Sequence, residues 1–445
     1  MRGAAGGMAA ALRAAAQEPG ERPARDDSVT VLNPRDRVPV SWIIDDSTCL
    51  VNLNRFAIPQ FAAAYNYEQY HHDWRSMPYE IPDDFVRRFG EWCAEKGVKG
   101  KYSIVPYPAC VGRLDRELPG WTAIELRESI RLVQSLMMPN WDIHPEMVTH
   151  TRVIDLKTGH PYPERSLRFM ENWDWTEGRS ADELTAYMIY ALEILKNVGL
   201  PCEGITTPGG FGQQVMPELA RATLDSCREV FQAEIPHYFR DVYRDPGRSV
   251  APLVQYASGL KGTDPRCVVS IIGCTGDWTG GWDCSAAPQP DLFITPDLTQ
   301  GRLVEVIDRG EPAFLVSHWT GIHFNGRELG FRAFQEVFQR LHAKYDNLVW
   351  MKNSEIARYW AARQLTAISR RGQSLTFQAP FACPAFTVRF RSAEQRPPRF
   401  SAAGAVTLLT EARDRLRLVP GTWFRQSGAT IACFDLPRGP SELLL

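Results

Sequence analysis

The stretch VPVSWIIDDS, residues 38–47, joins a run of apolar residues directly to two adjacent carboxylates. The apolar part, 38–44, is short and continuous, which is typical of a strand buried on both faces. Asp45 and Asp46 come immediately after it. Because residues at the carboxyl ends of parallel strands line the functional site, this position favours a catalytic or binding role. The alternative is that Asp46 or Ser47 caps the next element, a common role for such residues.

Similar apolar runs follow along the chain and alternate with helical patterns. The expected strands, about seven, are 38–44, 102–107, 140–148, 204–207, 268–274, 313–318 and 347–351. Helices with one apolar face are expected between them, such as the one that begins where Ser180 and Glu183 are spaced as a capping box. This alternation predicts an α/β fold with a mostly parallel sheet.

The two ends of the chain have different patterns from the middle. Residues 1–28 are rich in Ala, Gly, Pro and Arg and are expected to form a disordered tail. Residues 367–445 show short alternating runs separated by turn residues, which predicts a small all-β, sandwich-like accessory domain. The α/β domain is therefore expected to span 29–366.

Composition restricts the class of partner. The 445 residues carry 50 Lys and Arg against 52 Asp and Glu, a formal net charge of -2, without a long basic block. This balance argues against nucleic acid or an anionic membrane as partner and favours a small ligand. No apolar run reaches bilayer length and the start lacks the apolar core of a secretion signal, so we expect no membrane span and a cytoplasmic location. The oligomeric state is left open.

A second stretch, WDIHPEMVTH at residues 141–150, places three candidate metal ligands at the end of another expected strand. Asp46 together with Glu146 and His150, or with His144, would form a site with open positions for water. Each histidine alone is more commonly a structural residue. The set favours a divalent transition metal and does not select among Zn, Mn, Co and Fe.

Two later strand ends repeat this pattern. Asp277 and Trp278 follow the run 268–274, and His318 ends the run 313–318, with His323 five residues further on. A histidine at the end of a buried strand suits a general acid or base, because its reference pKa lies near neutrality. Four strand ends therefore present Asp, Glu or His.

The order of these segments resembles the polysaccharide deacetylase superfamily, over residues 36–364. The matching segments are the Asp-Asp pair at 45–46, WDIHPEMVTH at 141–150, GITTPGG at 204–210, the DW pair at 277–278 and LVSH at 315–318. The resemblance implies a distorted (β/α) barrel of about seven strands. It also implies a metal-dependent hydrolase that removes an acetyl group from an N- or O-acetylated sugar.

By this resemblance Asp45 is the catalytic base and His318 the general acid. The expected metal ligands are Asp46, Glu146 and His150, with His144 as an alternative. The expected substrate-binding residues, taken from the motifs and from aromatic neighbours, are Thr207, Pro208, Asp277, Trp278, Trp319, His323 and Trp74. Trp74 belongs to an aromatic insertion, 56–74, which is either a lid that stacks on sugar rings or a plain cover of the barrel mouth.

Two motifs differ from the family pattern. Glu146 stands at the first histidine position of the second motif, where its oxygen can still bind a divalent ion. Thr206 stands where the third motif has the arginine that orients the catalytic aspartate, and Gly209 stands at the aromatic position. The missing arginine favours a catalytically impaired glycan- or partner-binding protein, whereas the retained Asp and His residues favour an enzyme. Hydrolysis of a non-sugar C–N bond is the third alternative, since fold does not fix substrate.

Overall fold

The structure, a computed structural model, describes residues 20–392 and 396–445. Its strands are β1 (Val29–Val31), β2 (Val38–Asp45), β3 (Gly100–Ile104), β4 (Trp141–Pro145), β5 (Ile154–Asp155), β6 (His160–Pro161), β7 (Gly204–Thr206), β8 (His237–Val242), β9 (Leu253–Ser258), β10 (Arg266–Gly273), β11 (Ala313–His318), β12 (Leu348–Trp350), β13 (Ala367–Arg371), β14 (Ser374–Ala379), β15 (Cys383–Phe390), β16 (Arg399–Ala402), β17 (Ala405–Leu408), β18 (Thr410–Glu411), β19 (Thr422–Gln426), β20 (Ala429–Leu436) and β21 (Gly439–Leu444). Its α-helices are α1 (Leu53–Ala64), α2 (Asp83–Lys96), α3 (Ala123–Leu132), α4 (Ala181–Asn197), α5 (Met216–Phe231), α6 (Pro290–Phe293), α7 (Arg302–Asp308), α8 (Trp319–His323), α9 (Leu329–Lys344) and α10 (Asn353–Leu365).

A five-stranded and a four-stranded sheet form the α/β region, beside the separate two-stranded pair of β5 and β6. The first has the order β11–β2–β3–β4, with β12 also beside β2, and all of its pairs are parallel. The second has the order β7–β8–β10–β9, in which only the β9 pairing is antiparallel. The expected strands are all present, 313–318 with the predicted ends and the other six with shifted ends, whereas β8 and β9 are additional. Parallel pairing brings the carboxyl ends of the strands to one edge.

The two sheets meet at their edges without merging. On one side a single parallel bridge joins Glu146 to Thr206. On the other side the N–H of Cys274 donates a hydrogen bond of 2.9 Å to the carbonyl oxygen of Phe314. Within the described residues the fold is therefore a mixed α/β arrangement of two sheets, and it differs from the expected barrel in that no closed barrel is formed. β7 has three residues, so little backbone is available there for further pairing.

The strand β2 is buried along its whole length, as a parallel strand covered on both faces should be. Because side chains alternate along a strand, Trp42 points to the helical layer, where its ring stacks on Phe334. Ile43 points the other way and packs in the cluster that contains Phe239 and Phe314. Asp45 lies two residues beyond Ile43, on the same interior face.

The C-terminal region contains two five-stranded sheets, in the orders β1–β15–β20–β19–β18 and β13–β14–β21–β16–β17. Phenylalanine rings fill the space between them, with centroids of Phe377 and Phe434 at 5.4 Å and of Phe386 and Phe434 at 6.0 Å. The strand β1 comes from the N-terminal side of the α/β region, yet it pairs antiparallel with β15. The all-β unit thus includes residues from both sides of the α/β region.

Part of the expected tail is described. Residues 1–19 lie outside the described residues. In the remainder the N–H of Glu21 donates to the carbonyl oxygen of Ala257 at 2.9 Å, and that of Asp26 donates to Ile368 at 3.0 Å. Residues 20–28 therefore contact both the second sheet and the C-terminal unit. None of the helices in the described ranges is long and apolar enough to cross a membrane.

Candidate active site

Three of the predicted metal ligands converge at the carboxyl ends of β2 and β4. The Nε2 atom of His150 lies 2.7 Å from Oδ1 of Asp46 and 3.4 Å from Oε1 of Glu146. The backbone N–H of Asp46 donates to Oε2 of Glu146 at 2.7 Å. All three side chains are buried, and their candidate ligand atoms lie within 4.8 Å of one another.

This group fits a divalent cation. Oδ1 of Asp46 is buried, and the atom that contacts it is Nε2 of His150, which is itself a candidate ligand. Burial alone would lower the pKa of His150, but the carboxylates of Asp46 and Glu146 raise it well above its ordinary value. Two buried carboxylates therefore require a positive charge, which either the imidazolium or a metal ion can supply. Carboxylate oxygen and imidazole nitrogen together suit Zn, Mn, Co or Fe.

The ligand positions depend on strained backbone. Asp46 and His150 have φ values of 61° and 63°, in the left-handed region that non-glycine residues rarely adopt. A buried carboxylate, Glu171, supports the second position: it accepts the N–H of His150 at 2.6 Å and that of Thr149 at 3.1 Å. The hydroxyl of Tyr187 also donates to Glu171. Glu171 therefore orients the ligand loop without lining the pocket.

Asp45 lies next to this group and is paired with Lys101, which is fully buried on β3. The Lys101 ammonium donates to Oδ1 of Asp45, to the carbonyl oxygen of Ile44 at 3.1 Å and to Ser103 Oγ at 2.8 Å. Burial raises the pKa of Asp45 to about 6, against the opposing effect of Lys101. Asp45 is therefore mainly ionised at neutral pH but accepts a proton more readily than an exposed aspartate, which suits a general base.

His318 ends β11 beside Asp45, because the two residues are partners in the β2–β11 register. Its Nδ1 lies 2.8 Å from Oδ2 of Asp277, and the hydroxyl of Thr279 holds the other oxygen of that carboxylate at 2.6 Å. Burial would lower the pKa of His318, but Asp46, Asp277 and Asp45 together raise it to about 10. His318 therefore keeps its proton at neutral pH, which suits a general acid.

These groups line one pocket with a volume of about 340 Å³. Its walls are largely aromatic. Phe61 and Tyr70 come from the insertion 56–74, and their ring centroids lie 5.3 Å and 5.9 Å from that of Trp173. Trp282 faces them from the loop after β10, with its ring 6.0 Å from that of Phe61. The insertion thus covers the pocket and contributes rings to it.

The structure separates the predicted substrate-binding residues into two groups. Thr207 lines the pocket, and Asp277 lies directly behind His318. Pro208 is part of the adjoining turn, where its carbonyl oxygen accepts the N–H of Phe211. Trp74 lies on the insertion with its ring against the Arg75 guanidinium at 4.2 Å, outside the pocket.

Four further predicted residues pack elsewhere. Trp319 is fully buried against Phe85 and Tyr102, and His323 packs on the same Phe85 ring at 4.9 Å. Their position on α8 turns these side chains toward α2, behind the sheet. The ring of Trp278 lies against Phe293 at 5.0 Å. The remaining residue, the alternative ligand His144, is placed with His237 at 3.0 Å between the ring nitrogens and is not part of the Asp46 group.

Several residues of the site were not predicted. They include two residues outside the pocket lining, Lys101, which pairs with Asp45, and Glu171, which supports the ligand loop, and the lining residues Asn172, Trp173, Phe239 and Arg240. Lys101 had a usable signal, since it is a charged residue inside the apolar strand GKYSI. Phe239 and Arg240 belong to β8, a strand that was not expected.

Comparison with known proteins gives structural similarity only. No protein-family model and no curated protein sequence matches the chain. Solved structures that are similar include a probable polysaccharide deacetylase from Pseudomonas aeruginosa PAO1, at 12% identity and a TM-score of 0.39, covering 74% of this chain and 91% of that one. A candidate glycoside hydrolase/deacetylase from Parabacteroides distasonis matches at 12% identity and a TM-score of 0.41, covering 85% of each chain. An allantoinase matches at 13% identity and a TM-score of 0.36, over 74% of this chain and 91% of that one. Because each TM-score is below 0.5, the function is inferred from the residues of the site themselves.

Proposed function

We propose that the protein is a metal-dependent hydrolase that removes an acetyl group from an N- or O-acetylated sugar. The observation that carries this proposal is the meeting of three groups in one pocket: the Asp46–Glu146–His150 set, the Asp45–Lys101 pair and the His318–Asp277 pair. Ion pairs that only stabilise a fold can also shift the pKa values of buried groups. Here the three groups meet at one cavity, which is where a ligand site is expected.

In the proposed chemistry the Asp45–Lys101 pair accepts a proton and the His318–Asp277 pair donates one. A bound divalent ion supplies Lewis-acid polarisation of a carbonyl group and a nucleophile at neutral pH. Asp45 accepts the proton of the attacking water, and the Lys101 ammonium holds that carboxylate in place. His318 donates its proton to the leaving nitrogen or oxygen, while Asp277 orients the imidazole and stabilises its charge. The aromatic walls keep bulk water away and offer faces for a sugar ring.

A non-sugar amide is the second candidate substrate. The position of the family's aromatic residue is Gly209 here, and Gly209 lines the pocket. The aromatic ring of the family pattern is thus absent from this wall, where the backbone of Asn172 lies against Gly209 instead, and the wall differs in shape from that pattern. The pocket of about 340 Å³ is also of a size that suits a small molecule.

The metal content of the purified protein tests the proposal. After exchange into metal-free buffer, elemental mass spectrometry is expected to find one equivalent of a transition metal in the wild type and none in Asp46→Ala or His150→Ala. His318→Ala is expected to keep the metal and lose turnover of acetylated sugars by about 100-fold or more. Full metal content in both ligand variants would refute the site. A wild type that takes up neither Zn, Mn, Co nor Fe would refute the hydrolase.

A further inference from the structure

One cation in the pocket wall has no hydrogen-bond or ion-pair partner among the described residues. Arg240, on β8, lines the pocket together with Phe239 and Val242. Its Nε atom is buried and has no hydrogen-bond partner, and no hydrogen bond or ion pair joins its side chain to any other residue in 20–392 or 396–445. The neighbouring Asp241 does not reach it within ion-pair distance. Arg240 thus presents to the cavity a half-buried guanidinium that no hydrogen bond or ion pair among the described residues holds, and Asp241 acts on its charge only at longer range.

A second arginine shows that the fold can satisfy such a group. Arg302 is more deeply buried than Arg240, and it donates to the carbonyl oxygens of Cys274 at 3.0 Å and Tyr243 at 2.9 Å and pairs with Glu305 at 2.9 Å. Removing a charge from water without a partner costs several kcal/mol in general. An unpartnered guanidinium in a pocket wall is therefore best explained by a ligand that supplies the missing anion.

The same pocket holds a complementary acceptor. Oδ1 of Asn172 is buried, lines the pocket and has no hydrogen-bond partner among the described residues. An amide oxygen of this kind accepts a hydrogen bond from a hydroxyl or amide N–H group. The cavity therefore offers one cationic donor and one neutral acceptor between aromatic walls, in addition to its carboxylates and histidines.

We propose that the substrate carries a negatively charged oxyanion and that Arg240 binds it. The planar guanidinium donates paired hydrogen bonds to a carboxylate or a phosphate, which a neutral sugar cannot accept equally well. The substrate class is thus an acidic acetylated sugar. This inference rests on the hydrolase proposed above for the chemistry of the pocket, whereas the binding of the anion rests on Arg240 alone.

Three matched substrates test the proposal. They are N-acetylglucosaminuronate, with a carboxylate at C6, N-acetylglucosamine 6-phosphate, with a phosphate there, and N-acetylglucosamine, with a hydroxyl. The metal-loaded wild type is expected to prefer at least one of the two anions by about tenfold or more in kcat/KM, because a hydrogen bond to a charged group is stronger than a neutral one. The better of the two anionic substrates identifies the oxyanion as carboxylate or phosphate.

Variants of two arginines test whether Arg240 causes the preference for the anionic substrate. Arg240→Gln is expected to raise KM for the preferred anion by about 10- to 100-fold and to raise KM for N-acetylglucosamine much less. Arg240→Lys should recover part of the loss. The exposed Arg244, which is four residues away and does not line the pocket, provides the control Arg244→Gln, which removes the same charge and should change nothing.

Equilibrium binding separates this inference from the hydrolase. Calorimetry with glucuronate and glucose 6-phosphate, which carry no acetyl group, measures anion binding without turnover. Binding of either to the wild type, weakened about tenfold or more in Arg240→Gln, supports the anion site even if no acetylated sugar is hydrolysed. Hydrolysis of acetylated sugars with equal kcat/KM for charged and neutral substrates, unchanged in Arg240→Gln, overturns the anion site and leaves the hydrolase intact.

Discussion

Lys101 pairs with Asp45, the proposed catalytic base, from a strand that the motifs do not include. The family pattern uses an arginine of the third motif for this purpose, and Thr206 occupies that position. In the register of β2 and β3, Lys101 is the partner of Ile43, so its side chain points along the interior face toward Asp45. Asp45 therefore has a cation beside it, Lys101, although the arginine of the family pattern is absent.

Removal of Lys101 should cost both stability and activity. Lys101→Met leaves the buried Asp45 carboxylate uncompensated, and the free energy of unfolding in urea is expected to fall by about 3–5 kcal/mol. Adding Asp45→Asn should restore most of this loss, since the charge that needs a partner is gone. Lys99→Met is the matched control: Lys99 pairs with Glu355 at the surface, and its loss should cost under about 1 kcal/mol. Equal costs for Lys101→Met and Lys99→Met would contradict the pairing.

The charge of His318 should set the alkaline limit of activity. Its pKa of about 10 means that the folded protein keeps the proton at neutral pH, and that activity is lost as the pH rises through that value. Asp277 is one of the carboxylates that raise this pKa. Asp277→Asn should therefore move the alkaline limb of the kcat profile to lower pH, while metal content stays at one equivalent. An unshifted limb in Asp277→Asn would assign the alkaline limit to another group.

How far single residues can be predicted depends on whether the chain places them at strand ends. Asp45, Asp46, Glu146, His150 and His318 stand at or near the ends of apolar runs, which selected them as candidates, whereas the roles predicted for them came from the family resemblance. Aromatic side chains carry no such signal. A tryptophan beside a motif can pack in the core or line a pocket. The orientation of its helix decides which, as Trp319 on α8 shows.

At the scale of elements, apolar runs predict strands and mixed runs do not. The expected strand 313–318 coincides with β11, because AFLVSH is apolar up to its last two residues. β8 reads HYFRDV, in which the polar residues interrupt the apolar ones without a regular alternation. The strand that carries Arg240 was missed because its polar residues break the apolar run that would have indicated a buried strand.

The loop after β7 should be intolerant of a side chain at Gly209. Its φ is +42°, and a Cβ there would lie 2.6 Å from the carbonyl oxygen of Asn172, a backbone atom that cannot move freely. Gly209→Ala is expected to displace the loop, lower the thermal midpoint and reduce turnover.

The control for this loop is Gly247→Ala. Gly247 also has a positive φ, of +79°, but it has open space where the Cβ would be. Its substitution should cost only the backbone strain, about 1–2 kcal/mol, with turnover unchanged. Equal effects of the two substitutions on turnover would show that the approach of the loop to Asn172 is unimportant.

At the scale of the whole molecule, the interior of the α/β region continues into the all-β unit. Ile43 and Phe314 from the first sheet belong to the same buried cluster as Tyr359 of α10 and Phe386 of β15. The Tyr359 hydroxyl donates to the carbonyl oxygen of Leu32 at 2.8 Å and accepts the N–H of Thr387 at 3.2 Å. Sequence pattern assigned the elements to two units but carried no information on the contacts across α10, because those contacts join residues far apart in the chain.

A continuous core predicts that both units unfold together. Phe386→Ala removes a fully buried ring in the all-β unit and should destabilise the protein by about 3–5 kcal/mol. Because the cluster spans α10, the loss of far-ultraviolet circular dichroism and the loss of bound metal are expected to shift together to lower urea concentration. Val406→Ala, at an exposed position of β17, should change the midpoint by no more than about 0.5 kcal/mol. A Phe386→Ala protein that loses part of its circular dichroism in an early transition, while it retains metal and turnover until a later one, would show that the two units are energetically independent.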